Sequence, residues 1–250
     1  MSMALSWNAP DLMSFEAAGR SHPGLCRRGN EDAFAIHAGA GLLMVADGLG
    51  GHLAGEVASW MAVDTACDEI INPAVPPASV AAALVAAIER ANLAVFTAGQ
   101  RSPDLTGMGT TMVASLAFPG GVVVAHVGDS RAYLLRERWL ARLTRDHSVC
   151  NLPLFRGFEQ FFGDSVQPHA LTRAVGSSRE IDVETRTLRV RCGDVLLLCS
   201  DGLTNAIDDQ EIAAILTAHR DPDAAAAALI ASANEHGGPD NVTVALQRWS

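Results

Sequence analysis

The sequence predicts an α+β fold in which helices cover antiparallel sheets, and three observations support this prediction. Short apolar segments alternate with turn residues, as strands do. The longer helical segments fall in two groups along the chain, which argues against alternating βαβ units. Hydrophobic residues make up 49% and charged residues 18% of the 250 residues, which is enough for a large core and unlike a disordered chain. Because no repeat or linker divides the sequence, we expect one domain over residues 1–250.

Seven segments are predicted as strands. Most are bounded by Gly, Pro or Asp, which commonly end strands. A tight turn at residues 118–122 is expected to join two of them as a hairpin. The predicted strands are residues 33–37, 42–46, 110–118, 122–127, 132–135, 195–199 and 242–246.

Four segments are predicted as helices, at residues 53–70, 79–97, 209–218 and 222–235. The second follows two prolines and is expected to end before Gly99. The last begins with Pro222 directly after Asp221, a favourable pair for the N-cap and the first helical position.

Composition excludes several classes of function. The formal net charge is −10, which disfavours nucleic-acid binding through phosphate contacts. There is no Lys, which excludes a Walker-type phosphate loop and any catalytic lysine. The five Cys residues show no C-x-x-C spacing, so neither a disulfide framework nor a thiolate zinc site is indicated. No apolar run of about 18 residues and no signal peptide are recognised, so we expect a cytoplasmic protein without a membrane span.

Four aspartates stand beside apolar strands. Asp47, Asp129 and Asp201 follow predicted strands, and Asp240 precedes one. Any one of them alone would usually be a turn residue. Together they would repel one another at the edge of the core unless a cation joined them. Mg²⁺ and Mn²⁺ prefer such oxygen ligands, so a divalent metal centre is predicted.

A basic residue close to these acids could bind phosphate. Arg27 is a candidate because guanidinium binds phosphate through two parallel hydrogen bonds. Taken alone, Arg27 and Arg28 would be a solvated pair. Glu31 and Asp32, which follow directly and lead into a strand, favour a functional role for Arg27.

These residues belong to eight short motifs whose order resembles that of the metal-dependent protein phosphatases, also called type 2C Ser/Thr phosphatases. One such motif would be weak evidence for the resemblance, whereas eight motifs in the same order are specific evidence for it. They include R-x-x-N-E-D from Arg27, a D-G-x-G-G-H motif from Asp47 and G-D-S-R around Asp129. The full set lies at residues 24–32, 45–52, 107–111, 127–131, 146–148, 171–176, 200–202 and 240–241.

The resemblance implies a four-layer α-β-β-α sandwich and a centre with two Mn²⁺ or Mg²⁺ ions and a possible third at one end of it. It also implies a role for each site residue. Asp47 would bridge both metals, and the Gly48 carbonyl would ligate one of them. Asp201 and Asp240 would hold the other, and Asp129 with Asp201 would hold the third. Glu31 and Asp32 would orient metal-bound water, and Arg27 would bind the substrate phosphate.

The activity implied is hydrolysis of phosphoserine and phosphothreonine by direct attack of a metal-bridging water. The partners would be phosphorylated proteins and a bacterial Ser/Thr kinase whose action the enzyme reverses. Two alternatives remain: a catalytically inactive module that binds phosphoproteins, and an enzyme for small phosphate esters.

The sequence departs from the family in two places. Leu49 stands where eukaryotic members have a His, so either His52 or a metal-bound water protonates the leaving alkoxide. The flap segment, residues 149–170, lacks the usual acidic, Gly-containing pattern. Phe155, Phe158, Phe161 and Phe162 there share one face if the segment is helical, and that face either packs on the sandwich or binds a partner.

Two further patterns are interpreted as incidental. Cys150 to Arg156 matches the C-x5-R pattern of cysteine phosphatases, but Pro153 removes a backbone donor that such a phosphate loop needs. His37 and His126 lie on predicted strands and are interpreted as surface or core histidines rather than ligands.

Overall fold

The computed structural model describes residues 13–49, 53–73, 77–152 and 170–250. Eleven strands and five helices lie in these ranges. In chain order they are β1 (Phe15–His22), β2 (Asp32–His37), β3 (Leu42–Leu49), α1 (Leu53–Ile71), α2 (Val80–Arg101), β4 (Gly109–Thr110), β5 (Met112–Phe118), β6 (Gly121–Val127), β7 (Arg131–Arg136), β8 (Trp139–Arg142), β9 (Glu184–Arg189), β10 (Val195–Cys199), α3 (Asp201–Thr204), α4 (Asp209–Ala218), α5 (Pro222–Glu235) and β11 (Val242–Trp249).

The strands form two antiparallel sheets. Sheet I has the order β1-β11-β10-β7-β8, and sheet II has the order β2-β3-β5-β6-β9, with β4 paired to β3. In sheet II, short connections join β2 to β3 and β5 to β6, and the second is a hairpin in which Phe118 pairs with Gly121. The hairpin predicted at residues 118–122 is therefore confirmed.

The two sheets and the helices outside them form four layers, with a layer of apolar side chains between each two neighbours. A single strand such as β3 contributes to two of these apolar layers, because successive side chains of a strand point to opposite faces. Leu42 and Met44 pack among residues of α1 and α2, whereas Leu43 and Val45 lie between the two sheets. A third core joins sheet I to α4 and α5. The fold is thus the expected α-β-β-α sandwich, and its central strands are apolar because both of their faces are buried.

Three strands were not predicted from the sequence: β1, β8 and β9. All three are edge strands, and β9 in particular is mostly exposed. Edge strands of this kind carry polar residues and lack the apolar run that identifies a central strand. The pattern therefore predicts the centres of the sheets better than their margins.

The segment 110–118, predicted as one strand, is divided at Thr111. Its first part, β4, pairs with the end of β3, and its second part, β5, pairs with the body of β3 and with β6. At the break, the Thr111 N–H donates to the Asp47 carbonyl (2.8 Å). At this break in the strand, the backbone of Thr111 thus binds the backbone of Asp47 near the end of β3.

The predicted helices are confirmed with small changes at their ends. α4 and α5 have the predicted bounds, and the Asp221 side chain accepts hydrogen bonds at the start of α5. α2 continues to Arg101, so the prediction that it ends before Gly99 is wrong. Gly99 lies within the last turn, where a Cβ would come 3.2 Å from the Leu105 carbonyl oxygen, so its small size allows the following turn to pack against the helix.

Among the described residues, one helix, α2, is long and apolar enough to cross a membrane by length and composition alone. The sequence analysis found no such run, because Glu89 and Arg90 interrupt the apolar residues. One face of α2, including Leu84, Ile88 and Val95, is fully buried in the core between the helices and sheet II. A helix buried in the core of a protein meets the same criteria of length and composition, so this result alone does not indicate a membrane span.

Candidate functional site

Five aspartates from both sheets meet at one end of the sandwich. Asp47 lies near the C-terminal end of β3, and Asp32, the first residue of β2, is paired with it. The other three lie just outside strands: Asp129 follows β6, Asp201 follows β10 and Asp240 precedes β11. Antiparallel pairing brings the C-terminal end of one strand beside the N-terminal end of the next. The topology therefore brings acids from distant parts of the sequence to one edge of the core.

The backbone at Asp47 is held by two threonines. The Thr110 Oγ1 donates to the Asp47 carbonyl (2.8 Å), and the Asp47 N–H donates to Thr111 Oγ1 (3.0 Å). Thr111 Oγ1 also lies 2.7 Å from Ser130 Oγ. Through these buried bonds Asp47 is linked to the turn that carries Asp129. The sequence analysis recognised both motifs but assigned these hydroxyl groups no role.

The carboxyl groups of Asp47 and Asp201 line the same pocket and lie close enough to affect each other's pKa. Burial, followed by the nearby charge of Asp32, holds the pKa of Asp47 well above its ordinary value. Burial also raises the pKa of Asp201. Asn205 Nδ2 donates to Asp201 Oδ2 (3.1 Å), which fixes the orientation of this carboxyl group. Two half-buried carboxyl groups that face the same pocket repel each other unless one is protonated or a cation is bound.

Asp32 is half-buried, and the burial of its carboxyl group is the main reason that its pKa is raised to about 7. The charges of Asp201 and Asp240 act in the same direction, and a hydrogen bond from Ser200 Oγ to Asp32 Oδ2 (2.7 Å) offsets part of the effect. Within the described part of the chain, Asp32 Oδ1 has no hydrogen-bond partner. A buried carboxylate oxygen without a partner is costly, and its presence here favours a bound group.

Asp129 lies at the other side of the site. Burial and the charges of Asp201 and Asp146 raise its pKa to about 7, against a smaller opposing effect of Arg131. Asp146 in turn accepts two hydrogen bonds from Arg131, at 3.1 and 2.9 Å, and one from Arg142. The sequence did not indicate this arginine pair, which neutralises Asp146 behind the site.

The segment 23–31 is attached to the start of β11 by one buried side chain, Asn241. Its Nδ2 donates to the carbonyl groups of Pro23 (3.0 Å) and Gly29 (2.9 Å), and its Oδ1 accepts from the Glu31 N–H (2.8 Å). Three hydrogen bonds from one side chain fix the segment that carries Arg27 and Glu31. The sequence analysis noted Asn241 in a motif without a function.

Gly48 allows the elements around it to approach closely. Its N–H donates to the Glu31 carbonyl (3.1 Å), and a Cβ at this position would overlap the Gly55 carbonyl of α1. Gly55 in turn leaves room for the Glu31 carboxylate. Small residues at both positions therefore allow the first turn of α1, the end of β3 and Glu31 to meet.

Arg27 lies at the mouth of the site, where its Nη2 donates to Asp240 Oδ2 (2.8 Å). The Arg27 side chain is 55% exposed and that of Asp240 is 32% exposed. An ion pair this exposed contributes little to stability. The guanidinium group is therefore able to turn toward an anion that enters the site.

These residues surround a pocket of about 470 Å³. Among the described residues, its lining is polar and strongly acidic, with Arg27 at its rim. Its lining includes seven of the eight residues predicted from the sequence: Arg27, Glu31, Asp47, Gly48, Asp129, Asp201 and Asp240. The eighth, Asp32, is half-buried and lies opposite Asp47. The structure thus brings together all eight predicted residues, and their roles as ligands stay predictions.

Other predicted features lie outside the described residues. These are His52, the aromatic residues of the flap (Phe155, Phe158, Phe161 and Phe162) and the Arg156 end of the C-x5-R pattern. Leu49, in the position of the missing His, lines the pocket. His126 is buried, as one of the two readings expected, and His37 is exposed at the end of β2.

The chain is similar to known phosphatases. The family model described as "Protein phosphatase 2C" matches residues 19–222. The "Serine/threonine phosphatase stp" of Listeria monocytogenes serotype 4b (strain F2365) is 37% identical over 235 residues, which cover 91% of this chain and 93% of the relative.

Two solved structures extend the similarity. The S. agalactiae serine/threonine phosphatase has a TM-score of 0.85 at 32% identity and covers 95% of this chain and 100% of its own. The catalytic domain of serine threonine protein phosphatase PstP, in complex with two manganese ions, has a TM-score of 0.79 at 36% identity and covers 94% of this chain and 97% of its own. The sequence and the fold are therefore similar to the same class of proteins.

Proposed function

This chain belongs to the protein phosphatase 2C family and is a serine/threonine protein phosphatase of the bacterial type, and from this premise we propose that it hydrolyses phosphoserine and phosphothreonine by a metal-dependent mechanism in the acidic pocket. The observation that carries the proposal is that the carboxyl groups of Asp47 and Asp201 line one pocket together with Arg27. Such a site combines ligands for cations with a group that binds phosphate.

The residues present suit hard divalent cations. All of the predicted ligand atoms are oxygens, which Mg²⁺ and Mn²⁺ prefer. Asp47 and Asp201 carry buried, mutually repelling carboxyl groups, and a cation would remove that repulsion. In this proposal Asp47 and the Gly48 carbonyl hold one ion, Asp47 holds a second together with Asp201 and Asp240, and Asp129 with Asp201 holds a third. The manganese ions of the PstP structure support Mn²⁺ as one such ion.

Two bound cations supply an activated water and neutralise the charge that develops at phosphorus. The residues of the chain supply the rest. Arg27 binds the phosphate oxygens with its exposed guanidinium group, which positions the ester in the pocket. Glu31 and Asp32 accept hydrogen bonds from the attacking water and orient it. Leu49 offers no proton to the leaving alkoxide, and in this proposal a water in the pocket, rather than His52, supplies that proton.

The biological setting is also part of the proposal. The enzyme would act in the cytoplasm on proteins phosphorylated by a bacterial Ser/Thr kinase and reverse that modification. We also propose that the chain is one phosphatase domain, in which the flap at residues 149–170 affects the choice of substrate rather than the chemistry.

Phosphate release tests the function. We expect Mn²⁺ or Mg²⁺ to support release from p-nitrophenyl phosphate and from a phosphothreonine peptide, and a chelator to abolish both. A matched control is Cys150→Ser, which should keep full activity because the C-x5-R pattern takes no part. Full activity in excess chelator would overturn the proposal. Release from the aryl ester alone would indicate an enzyme for small esters, and release from neither would indicate a binding module.

A further inference from the structure

Gly128, which precedes Asp129, is joined to His147 by two hydrogen bonds. The Gly128 N–H donates to His147 Nδ1 (3.1 Å), and the His147 N–H donates to the Gly128 carbonyl (3.0 Å). Gly128 has a positive φ of 101°, and a Cβ here would come 2.7 Å from the Thr111 side chain. The backbone before Asp129 is therefore fixed by His147 and allows no other residue at position 128 without strain.

The His147 ring is itself held in one orientation. Because Nδ1 accepts from a backbone N–H, we assign the ring proton to Nε2, which lies 3.1 Å from Glu184 Oε1 on β9. The ring also stacks on His126, with centroids 4.6 Å apart and planes 15° from parallel. His126 Nε2 in turn lies 2.9 Å from the Arg145 carbonyl. The contacts with Gly128 and Glu184 thus favour one tautomer, and the stacking on His126 holds the plane of the ring.

A metal ion could in principle bind to this cluster, because ligand atoms of His126, His147 and Glu184 lie within 4.8 Å of one another. Two observations argue against it. Nδ1 of His147 accepts from Gly128, so Nε2 carries the proton and has no lone pair for a metal. Arg173 Nη1 lies 3.4 Å from both His147 Nε2 and Glu184 Oε1, and its positive charge would repel a cation. The cluster supports a backbone rather than binding an ion.

We propose that His147 is a positioning residue for the Asp129 carboxylate, acting through Gly128. Asp129 is the proposed ligand of the third cation, so this inference rests on the proposed function. A shift of the Gly128 backbone would move Asp129 relative to Asp201 and weaken the third site, while Asp47 and Asp240 would keep the first two ions. Support of a metal ligand by residues behind it commonly sets the affinity of a site.

Two substitutions separate the two nitrogens of the ring. His147→Asn places an acceptor near the position of Nδ1 and keeps the bond to Gly128, whereas His147→Gln places its amide near Nε2 and loses that bond. Mn²⁺ binding to the metal-free protein is followed by the EPR signal of free Mn²⁺, and thermal unfolding is recorded alongside. His37→Gln, at an exposed position on β2, is the matched control.

We expect His147→Gln to weaken the third Mn²⁺ site about ten-fold, the effect of one lost hydrogen bond, and to leave the two tight sites unchanged. His147→Asn should bind Mn²⁺ within about two-fold of the wild type. Unchanged binding in His147→Gln, or equal losses in both variants, would overturn the inference. A wild type that bound no Mn²⁺ would instead overturn the proposed function.

A second pair of variants decides the matter if His147→Gln does not fold. Glu184 is half exposed, so its substitution should not affect folding. Glu184→Ala removes the acceptor that orients the ring and should weaken the third site several-fold, whereas Glu184→Gln keeps an acceptor oxygen and should not. Identical Mn²⁺ binding in Glu184→Ala and the wild type would overturn the inference on its own.

Discussion

Asp32 and Asp47 lie directly opposite each other on the antiparallel strands β2 and β3. The ladder of backbone hydrogen bonds fixes the Cα atoms of this pair, so both carboxyl groups start from neighbouring positions on the same face of the sheet. Burial and this proximity raise the pKa of Asp47. The sandwich therefore holds repelling groups in the position where the proposed chemistry needs them, at a cost in the stability of the metal-free protein.

Asp47→Asn should make the metal-free protein more stable and nearly abolish turnover. The substitution removes a buried charge whose repulsion costs about 1–3 kcal/mol, and it also removes the ligand proposed to bridge two ions. Thermal unfolding in chelator and phosphate release with Mn²⁺ measure the two effects. Asp64→Asn, at an exposed position on α1, is the control and should change neither. A less stable metal-free Asp47→Asn protein would contradict the prediction.

Asp129→Ala should behave differently from Asp47→Asn. We expect it to keep the fold and two tightly bound Mn²⁺ ions, with lower activity that requires higher Mn²⁺ concentrations. The reason is that Asp129 is proposed to hold only the third ion. Equilibrium dialysis against Mn²⁺ and the dependence of turnover on Mn²⁺ concentration check this. If Asp129→Ala lost the tight ions as well, the assignment of Asp129 to the third site would be wrong.

The stability of the metal-free protein should fall as pH rises from about 4 to about 7. Asp32 and Asp129 have pKa values of about 7 in the folded chain against about 4 when unfolded. In this range the folded state therefore binds more protons than the unfolded state, and each group contributes a slope worth up to a few kcal/mol over the whole interval.

Urea unfolding at pH 5, 6 and 7 in chelator measures this slope. The lowered pKa values of His126 and His147 act in the opposite direction below about pH 6.5. Asp129→Asn keeps both histidines, so its difference from the wild type isolates the contribution of Asp129. We expect a smaller fall in this variant, and saturating Mn²⁺ should reverse the fall in the wild type. Parallel slopes in the two proteins would contradict the prediction.

Arg27→Ala should raise KM for a phosphopeptide about ten-fold or more, with a smaller effect on Mn²⁺ binding. A charge-assisted hydrogen bond to phosphate is worth this much. Arg28→Ala is the matched control, because Arg28 is the exposed neighbour of Arg27 and does not line the pocket. Steady-state kinetics at saturating Mn²⁺ give KM and kcat separately. Equal effects of the two substitutions would mean that Arg27 contributes only general positive charge.

The acidic side chains of the site could be predicted from the sequence because each stands beside an apolar strand. A strand such as β10, buried on both faces, leaves its terminal Asp201 at the boundary of the core. The order of the motifs along the chain, and their similarity to the motifs of the phosphatase family, then predicted a role for each acid. The residues that position these acids could not be predicted in this way. Asn241 and Thr111 act through hydrogen bonds to the backbone of distant segments, which no local pattern reveals.

The absence of a local sequence signal for contacts between distant segments also explains the errors in the predicted fold. β8 and β9 depend on pairing with an already formed sheet rather than on their own apolar pattern. α2 continues past Gly99 because a later turn packs against it. In each case tertiary contacts outweighed local preference.

The ion pair between Arg27 and Asp240 joins residues 213 positions apart, and the neighbouring strands β1 and β11 pair across a similar interval. Contacts of such separation form slowly, since the chain must first close a long loop. We therefore expect Arg27 and Asp240 to meet late in folding. Bound cations would then stabilise the native state more than the transition state, so that they prolong the lifetime of the folded protein while hardly changing the rate at which it is reached.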